Sequence, residues 1–303
     1  MLHSGPMNRP LVFYKLYSNL GIRGTPLGQN ERNDGVYYGP DAVLSAEFLQ
    51  QFSNARVLEF KFPKNDATTD EHFYQTVAQE SGRCADDIVS HLAPADMLVA
   101  IGGDNSVTLP ALLADIARFG AGAIGVITFD THGDIHLAAT TPSGNFHGVF
   151  VRPFFDTFDV PEIDKLVPQK LKGSDIIYFG NFDFEQEEID FMDRKKIRRY
   201  SLGRMQHAAQ DMETTLQRFL NAHAHVHINF DIDVFDESLV TATGMPSANG
   251  VMKEDIFPLL ARIATHPSKT LSLSEINPEK KGAHKTVQLA HEVIETLTSH
   301  LEN

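Results

Sequence analysis

Short apolar runs recur along the chain, separated by longer segments with another pattern. The runs are rich in β-branched and aromatic residues, which is typical of buried strands. We predict strands at 11–17, 56–62, 96–101, 123–127, 175–180, 197–200, from 227 up to the acidic residues near 231–236, and at 269–275.

Between these runs, apolar residues are spaced as on one face of a helix. The predicted helices cover 40–52, 70–92, 107–119, a segment that begins in the acidic stretch 185–188, 205–222, 253–264 and 284–297. Pro40 suits a first helical turn, and Ser106 is placed to cap the helix at 107. The polar segment 18–39 is long for a plain connection and is a candidate binding loop.

Strands that alternate with helices predict an α/β fold, a parallel sheet with helices on both faces. The alternation has no break and no linker of biased composition. We therefore expect residues 1–303 to form one domain.

Candidate chemistry follows the strand at 123–127. Asp130, His132 and Asp134 stand at alternate positions, so an extended backbone would turn all three to one side. Ligands bind at the carboxyl edge of open parallel sheets. Two carboxylates and an imidazole converging without a basic partner require a cation between them, so the pattern predicts a metal site.

The strand that begins at His227 repeats this pattern, with Asp231 and Asp233 turned to the same side. Four carboxylates and one histidine exceed the needs of one divalent ion and suit a pair of ions. Mixed nitrogen and oxygen donors favour manganese, with zinc, nickel, iron or cobalt as alternatives. The competing interpretation is that aspartates after strands are ordinary turn and capping residues.

Composition narrows the function classes. The 303 residues are 42% hydrophobic and carry a formal net charge of −14 at pH 7, which argues against nucleic acid and anionic membranes as partners. The lone cysteine, Cys84, excludes a disulfide framework and a thiolate zinc site. Residues 1–10 lack the apolar core of a signal peptide, and no apolar run approaches a membrane span. We expect a soluble cytoplasmic enzyme.

Several motifs in this order resemble the ureohydrolase family of arginase, agmatinase and formimidoylglutamase. They are Gly102-Gly103-Asp104-Asn105-Ser106, Asp130-Thr131-His132-Gly133-Asp134, Ser143-Gly144-Asn145-Phe146-His147-Gly148, Phe230-Asp231-Ile232-Asp233, Thr243-Gly244-Met245-Pro246 and Glu275-Ile276-Asn277-Pro278. The third motif is closest to the arginase form. The resemblance implies a three-layer αβα sandwich around an eight-stranded sheet, a dinuclear manganese centre, and assembly into trimers or hexamers. It also implies hydrolysis of a guanidinium or related amidine C–N bond by a metal-bridging hydroxide.

The resemblance also implies roles for individual residues. Asp130 and Asp231 resemble bridging carboxylates, Asp134 a ligand of one ion, and His132 with Asp233 ligands of the other. His147 resembles a proton shuttle, and Glu275 the acid that pairs with a guanidinium. Ser143 and Asn145 match arginase residues that contact substrate. A structural loop histidine and a solvated or helix-capping glutamate are the alternatives for His147 and Glu275.

Departures from the family pattern bear on activity. Asn105 stands where the family has a metal-binding histidine; an amide oxygen is a weaker donor, so one ion should be weakly held or lost. At the substrate end, His136 stands where the arginase pattern has an asparagine, and Met245 where it has a small hydroxyl residue. Glu185, with Asp183 nearby, aligns with an aspartate of the arginase pattern. We expect altered specificity. The histidines at 223, 225 and 227 are predicted to be packing or surface residues, upstream of the metal end.

Three functions remain open on this basis. The leading one is a metal-dependent amidinohydrolase that releases urea or a related product. The second is a catalytically impaired arginase-like protein that binds a ligand or regulates an active homologue, which Asn105 motivates. The third is a different hydrolase of the same superfamily, of the formimidoylglutamase or agmatinase type.

Overall fold

The computed structural model describes residues 9–23, 32–64, 69–180 and 182–301, and its centre is one parallel sheet. The sheet has eight strands in the order β2-β1-β3-β8-β7-β4-β5-β6, and every neighbouring pair is parallel. The strands are β1 (Leu11–Tyr17), β2 (Arg56–Lys61), β3 (Met97–Gly102), β4 (Ile124–Phe129), β5 (Ile176–Gly180), β6 (Arg198–Ser201), β7 (His225–Asp231) and β8 (Lys269–Ser274). The predicted α/β class is confirmed.

Helices connect the strands. They are α1 (Gly39–Val43), α2 (Ala46–Leu49), α3 (Asp70–His91), α4 (Thr108–Phe119), α5 (Pro161–Asp164), α6 (Gln186–Lys195), α7 (Leu202–His207), α8 (Ala209–Ala222), α9 (Lys253–Ala264) and α10 (Ala283–Thr298). Among the described residues, no helix combines the length and hydrophobicity needed to cross a membrane.

Helices cover both faces of the sheet, which makes the three layers that were predicted. Leu98 and Ala100 of β3 belong to one apolar cluster, which includes residues of α3, α4 and α6, whereas Val99 and Ile101 belong to a second, which includes residues of α8, α9 and α10. Successive strand residues point to opposite faces, so a strand that is buried on both sides is apolar throughout. All six residues of β3 and all six of β4 are buried.

Several element boundaries differ from the prediction. The helix expected at 40–52 is broken after Val43, because Ser45 adopts an extended backbone and its side chain accepts a hydrogen bond from the Phe48 amide to cap α2. The helix expected at 205–222 begins at Leu202 and breaks at Ala208. The segment between β4 and β5 contains α5, which was not predicted. Of the candidate binding loop, residues 24–31 lie outside the described residues, and Asp34–Tyr38 form a 3₁₀ turn.

Ser106 is not the cap of α4. It lies inside a 3₁₀ turn, Asn105–Val107, and its hydroxyl donates to a carboxylate oxygen of Asp104 at 2.5 Å. The turn follows Gly103, where a β-carbon would lie 1.8 Å from the carbonyl oxygen of Ser18. Only glycine permits this close approach of two backbones. The loop after β3 is therefore fixed against the loop after β1.

Candidate metal centre and pocket

The candidate site lies at the carboxyl ends of the four central strands. In sheet order these are β3, β8, β7 and β4, and they deliver Asn105, Glu275, Asp231 and Asp130 respectively. Because parallel strands end at the same edge, four residues far apart in the sequence meet there. Their side chains are almost fully removed from water.

A pocket of about 130 Å³ opens at this edge. Nearly every predicted site residue lines it: Asn105, His132, Asp134, His136, Ser143, Asn145, His147, Asp183, Glu185, Asp231, Asp233 and Glu275. Asp130 lies beneath the wall and contacts both His132 and Asn105. Thus the structure brings all of the predicted residues together, while the roles assigned to them stay predictions.

Asp130, His132 and Asp233 form a close group at the pocket. The Nδ1 atom of His132 lies 3.5 Å from Oδ1 of Asp130 and 3.3 Å from Oδ2 of Asp233. The ligand atoms of all three residues lie within 4.8 Å of one another. Burial opposes a charge on His132, but Asp233 and Asp130 more than offset this and raise the pKa of the ring well above its usual value. The group is arranged to hold a positive charge.

The backbone that produces this group differs from the extended chain that was predicted. β4 ends at Phe129, and the Asp130 carboxylate accepts a hydrogen bond of 2.7 Å from the His132 amide, which folds the chain into a turn. Asp134 is left-handed, with φ of 52°, so alternation does not place its side chain. After β7, a 3₁₀ turn brings the Asp233 amide within 2.9 Å of Oδ1 of Asp231. Turns, rather than period two, bring the acids together.

Asn105 presents its amide nitrogen, not its oxygen, to the carboxylates. Nδ2 donates to Oδ2 of Asp130 at 3.1 Å and to Oδ2 of Asp134 at 2.8 Å. The oxygen accepts a hydrogen bond of 3.0 Å from the Ser274 hydroxyl. In this arrangement Asn105 offers the acids two N–H donors. The role of Asn105 as an oxygen ligand stays a prediction.

The remaining acids repel one another. Burial raises the pKa of Asp130 to about 6, and burial together with neighbouring carboxylates raises the pKa values of Asp134 and Asp231 well above the usual range. For Asp134 the neighbour with the largest effect is Asp130, and for Asp231 it is Asp233. Carboxylates that resist ionisation beside one another are stabilised by a cation.

The donor atoms of the group formed by Asp130, His132 and Asp233 fit a metal ion. Oδ1 of Asp233 is buried and accepts no hydrogen bond from any described residue, so it has an unused lone pair beside His132. Two carboxylates and an imidazole at these separations fit one divalent ion. A second ion between Asp130 and Asp134 would meet the N–H groups of Asn105, so the residues fit one ion here and oppose a second.

Glu275 lies across the pocket, and both of its carboxylate oxygens are held. Oε1 accepts a hydrogen bond of 2.8 Å from the backbone N–H of Asn105, and Oε2 accepts one of 3.0 Å from Nδ2 of Asn33. Burial, and then Asp104, raises its pKa to about 8. Its backbone is left-handed, with φ of 67°. A non-glycine residue in this conformation is strained, which is common at functional sites.

His147 lies nearby, with Nδ1 3.9 Å from Oε1 of Glu275. That nitrogen is buried and has no hydrogen-bond partner among the described residues. Removal from water lowers the pKa of the ring, so the neutral imidazole predominates near pH 7. No described residue forms a hydrogen bond with Nδ1, and the role of His147 stays a prediction.

The opposite end of the pocket is acidic. His136 contacts Glu185 and Glu187, and Asp183 is exposed at the rim. The Ser143 hydroxyl accepts from the Asn145 amide at 3.2 Å, and Oδ1 of Asn145 accepts from the Arg23 amide at 2.7 Å. Asn145 therefore shapes the wall as well as lining it.

Sequence reasoning missed Glu188 and Asn33, which also line the pocket. Glu188 was read only as part of an acidic helix start, which it is: it pairs with Glu185 in a capping box at the beginning of α6. The histidines at 225 and 227 are buried against Asp115 and His223 lies beside Asp175, and none belongs to a metal-ligand group among the described residues. The prediction that they are packing residues agrees with this.

Comparisons with known proteins agree with the geometry. The arginase family profile matches residues 18–299. Mouse mitochondrial arginase-2 is 27% identical over 311 residues, covering 94% of this chain and 86% of the mouse protein. The arginase of Entamoeba histolytica, solved with L-ornithine, superposes with a TM-score of 0.80 at 21% identity, covering 97% of this chain and 99% of that one. Formimidoylglutamase of Bacillus subtilis gives 0.72 at 16%, covering 99% and 89%.

Proposed function

Because the chain belongs to the arginase family, we propose that it is a metal-dependent hydrolase that cleaves a guanidino C–N bond and releases urea or a related product. The observation that carries the proposal is the unused oxygen of Asp233. It lies in a buried group with Asp130 and His132 and opens into the same pocket as Glu275 and His147. A buried carboxylate oxygen without a partner is costly unless a cation completes it.

Asp130, His132 and Asp233 would hold the ion. Manganese suits the mixed donor set, and other divalent ions of the first transition row are compatible with it. The chemistry that the ion supplies when bound is Lewis acidity, which makes water a stronger nucleophile near neutral pH. Asn105 holds Asp130 and Asp134 in place with its two N–H groups and so takes over part of the charge compensation.

Glu275 would bind the guanidinium. A carboxylate and a guanidinium are both planar and pair through two parallel hydrogen bonds. The backbone N–H of Asn105 and the side chain of Asn33 hold the two oxygens of Glu275 in a fixed plane, so the Glu275 side chain loses little conformational freedom when a guanidinium binds. A bound cation would also favour the ionised form of Glu275, which burial otherwise disfavours.

His147 would transfer the proton. Its ring is neutral near pH 7, and Nδ1 faces the pocket 3.9 Å from Glu275 without another partner. A neutral imidazole can accept a proton as water attacks and donate it to the leaving nitrogen. The distal part of the substrate would lie against Ser143, Asn145, Asp183, His136 and Glu185, where specificity is decided.

A substrate panel tests the proposal. The protein is loaded with Mn²⁺ and supplied with L-arginine, agmatine, other guanidino acids and amines, and formimidoyl-glutamate, and urea and formamide are measured separately. We expect urea from at least one guanidino compound and none with the D233N variant. Formamide as the main product would favour the formimidoylglutamase alternative instead.

The Asn105 geometry also supports a second candidate. A centre that opposes one of two ions is what a ligand-binding or regulatory protein with an impaired site would have. That candidate predicts substrate binding without turnover by the ion-loaded protein.

Assembly into trimers or hexamers, a cytoplasmic location and a single domain over 1–303 stay predictions. Light scattering on the purified protein measures the assembly.

A further inference from the structure

A second group of metal-ligand side chains lies at the outer end of the pocket. Nε2 of His136 lies 3.1 Å from Oε2 of Glu185 and 3.7 Å from Oε2 of Glu188. All three ligand atoms lie within 4.8 Å of one another. His136 and Glu188 are buried, whereas Glu185 faces the opening. None of these three residues belongs to the group formed by Asp130, His132 and Asp233.

The separations are those of donors around one ion. With bonds of about 2.1 Å to nitrogen and oxygen, neighbouring ligand atoms of a tetrahedral or octahedral ion lie roughly 3.0–3.4 Å apart. Of the two distances from His136, 3.1 Å lies within that range and 3.7 Å lies about 0.3 Å above it, which a small side-chain adjustment removes. One imidazole and two carboxylates are also a ligand set found in protein zinc sites.

The other nitrogen of His136 is held as in a metal-bound histidine. Nδ1 lies 3.0 Å from Oε2 of Glu187, and Oε1 of Glu187 lies 3.6 Å from Nη1 of Arg152. A histidine that binds a metal through one nitrogen usually donates the other N–H to a carboxylate, which fixes the tautomer and turns the free nitrogen to the ion. Here that orientation points Nε2 between Glu185 and Glu188.

Glu188 is also fixed in position. Oε1 accepts from the Ile135 amide at 3.3 Å and Oε2 accepts from the Glu185 amide at 3.2 Å. A β-carbon at Gly133 would lie 2.5 Å from Oε1, so the glycine makes room for this carboxylate. Each oxygen keeps a lone pair beyond its one backbone bond. The buried carboxylate is therefore placed before any ion arrives.

Charge at this end of the pocket is unbalanced. Asp183, Glu185 and Glu188 line it, and no lysine or arginine is among the described lining residues. Among the described residues that line this end, His136 alone can carry a positive charge, because Arg152, which contacts Glu187, is not among the lining residues. Carboxylates in partly buried surroundings are stabilised by a nearby cation, and a divalent ion compensates two of them at once.

We propose that His136, Glu185 and Glu188 bind a divalent transition-metal ion at the outer end of the pocket, separate from the ion of the Asp130 group. Glu187 positions the ring of His136 and is not itself a ligand. The site does not depend on the proposed hydrolysis. One consequence does rest on it: the distal end of a substrate would meet a metal ion instead of bare carboxylates.

Zinc content per chain tests the site. The D233N variant removes a ligand of the inner group, so the outer ion can be counted alone by equilibrium dialysis against Zn²⁺ and elemental analysis. We expect about one ion in D233N and none in D233N/H136N or D233N/E188Q. The matched control is D233N/D183N, which loses one pocket carboxylate that is not a ligand and should keep its ion.

Two results would overturn the proposal. One is no zinc in D233N; His136 would then simply be protonated and ion-paired with its glutamates. The other is an unchanged zinc content in D233N/H136N. If D233N is not folded by circular dichroism, the comparison is made between the wild-type protein and H136N, where one ion should be lost.

The role of Glu187 has its own readout. E187Q keeps all three ligands but weakens the orientation of His136, so it should raise the zinc dissociation constant of the outer site about 10- to 100-fold without abolishing binding. Equal affinity in E187Q and its parent would contradict the positioning role. These measurements need no turnover, so they can fail or succeed independently of the proposed function.

Discussion

The side-chain amide nitrogen of Asn105, Nδ2, lies 2.8 Å from a carboxylate oxygen of Asp134 and 3.1 Å from one of Asp130. A neutral N–H₂ group thus occupies the space between two acids that would otherwise repel each other. Asp134 reaches this contact through a left-handed backbone. We propose that this contact limits the number of ions at the inner centre, because an N–H donor and a metal ion cannot occupy the same place.

Replacing Asn105 by histidine should admit an ion there. An imidazole presents a lone pair in place of two N–H donors, so N105H should bind about one more Mn²⁺ per chain than the wild-type protein under the same conditions. Elemental analysis after dialysis measures this. N105A is the control, since it removes the donors without adding a ligand. Equal Mn²⁺ content in N105H and wild type would refute the account of Asn105.

Removing the ionisable ring of His147 should slow turnover while leaving the metal in place. H147N keeps a polar side chain of similar reach but cannot transfer a proton, and general acid–base catalysis contributes about 10²–10⁴-fold. We expect kcat to fall by that factor with the Mn²⁺ content unchanged. An undiminished kcat would assign the proton transfer to another group.

Glu275 should matter chiefly for binding a guanidinium. E275Q keeps the shape of the side chain but removes its charge. It also turns an N–H₂ group toward the backbone N–H of Asn105 or the side-chain N–H₂ of Asn33, both of which are hydrogen-bond donors. A lost charged hydrogen bond costs about 1.5–3 kcal/mol, or roughly 10- to 150-fold in the dissociation constant of a guanidinium ligand. Calorimetric titration with a guanidino compound measures it; unchanged affinity would place the guanidinium elsewhere.

Asp115 should be a main determinant of stability. It is fully buried, with Oδ2 2.8 Å from Nδ1 of His227 and 3.1 Å from Nε2 of His225, and Oδ1 3.0 Å from the Thr270 hydroxyl. Breaking such a buried network typically costs about 3–5 kcal/mol. D115N should therefore lower the free energy of unfolding by that amount in urea denaturation. The exposed D190N variant should change it by less than about 0.5 kcal/mol.

The effect of Asp115 should also depend on pH. Burial acts to raise its pKa, but His225 and His227 more than offset this and hold the pKa well below its usual value. The unfolded carboxyl has a pKa of about 3.9, so the folded state binds its proton less readily. The stability difference between wild type and D115N should be complete above about pH 4 and shrink as the pH falls further. A constant difference down to pH 2 would contradict this.

Much of the fold could be predicted because its signals are local. Helix Lys253–Ala264 and the strands at β1 and β3 follow from apolar spacing within each segment. The assembly of the site was also predictable in outline, since the carboxyl ends of parallel strands meet at one edge. What each side chain does there was harder to predict, because it depends on partners distant in sequence.

Asn105 and Glu188 illustrate the difference. The side-chain oxygen of Asn105 accepts a hydrogen bond from the Ser274 hydroxyl, 169 residues away, and no local pattern carries that information. Glu188 is recognisable from sequence as a helix-start residue, and only the fold brings it to His136, to the Ile135 amide and to the space left by Gly133. The position of the Asp134 side chain differs from the prediction for a related reason: its left-handed backbone breaks the alternation on which the prediction rests.

The most direct test of the central claim follows ion content and product in one titration. Metal-stripped protein is given increasing Mn²⁺ in the presence of the guanidino substrate that performs best in the panel, and bound ion and urea are measured at each step. We predict that urea release rises from zero with occupancy of the Asp130, His132 and Asp233 group, and that D233N releases none at any Mn²⁺ concentration. Full occupancy of that group with no urea from any guanidino compound would contradict the hydrolase account.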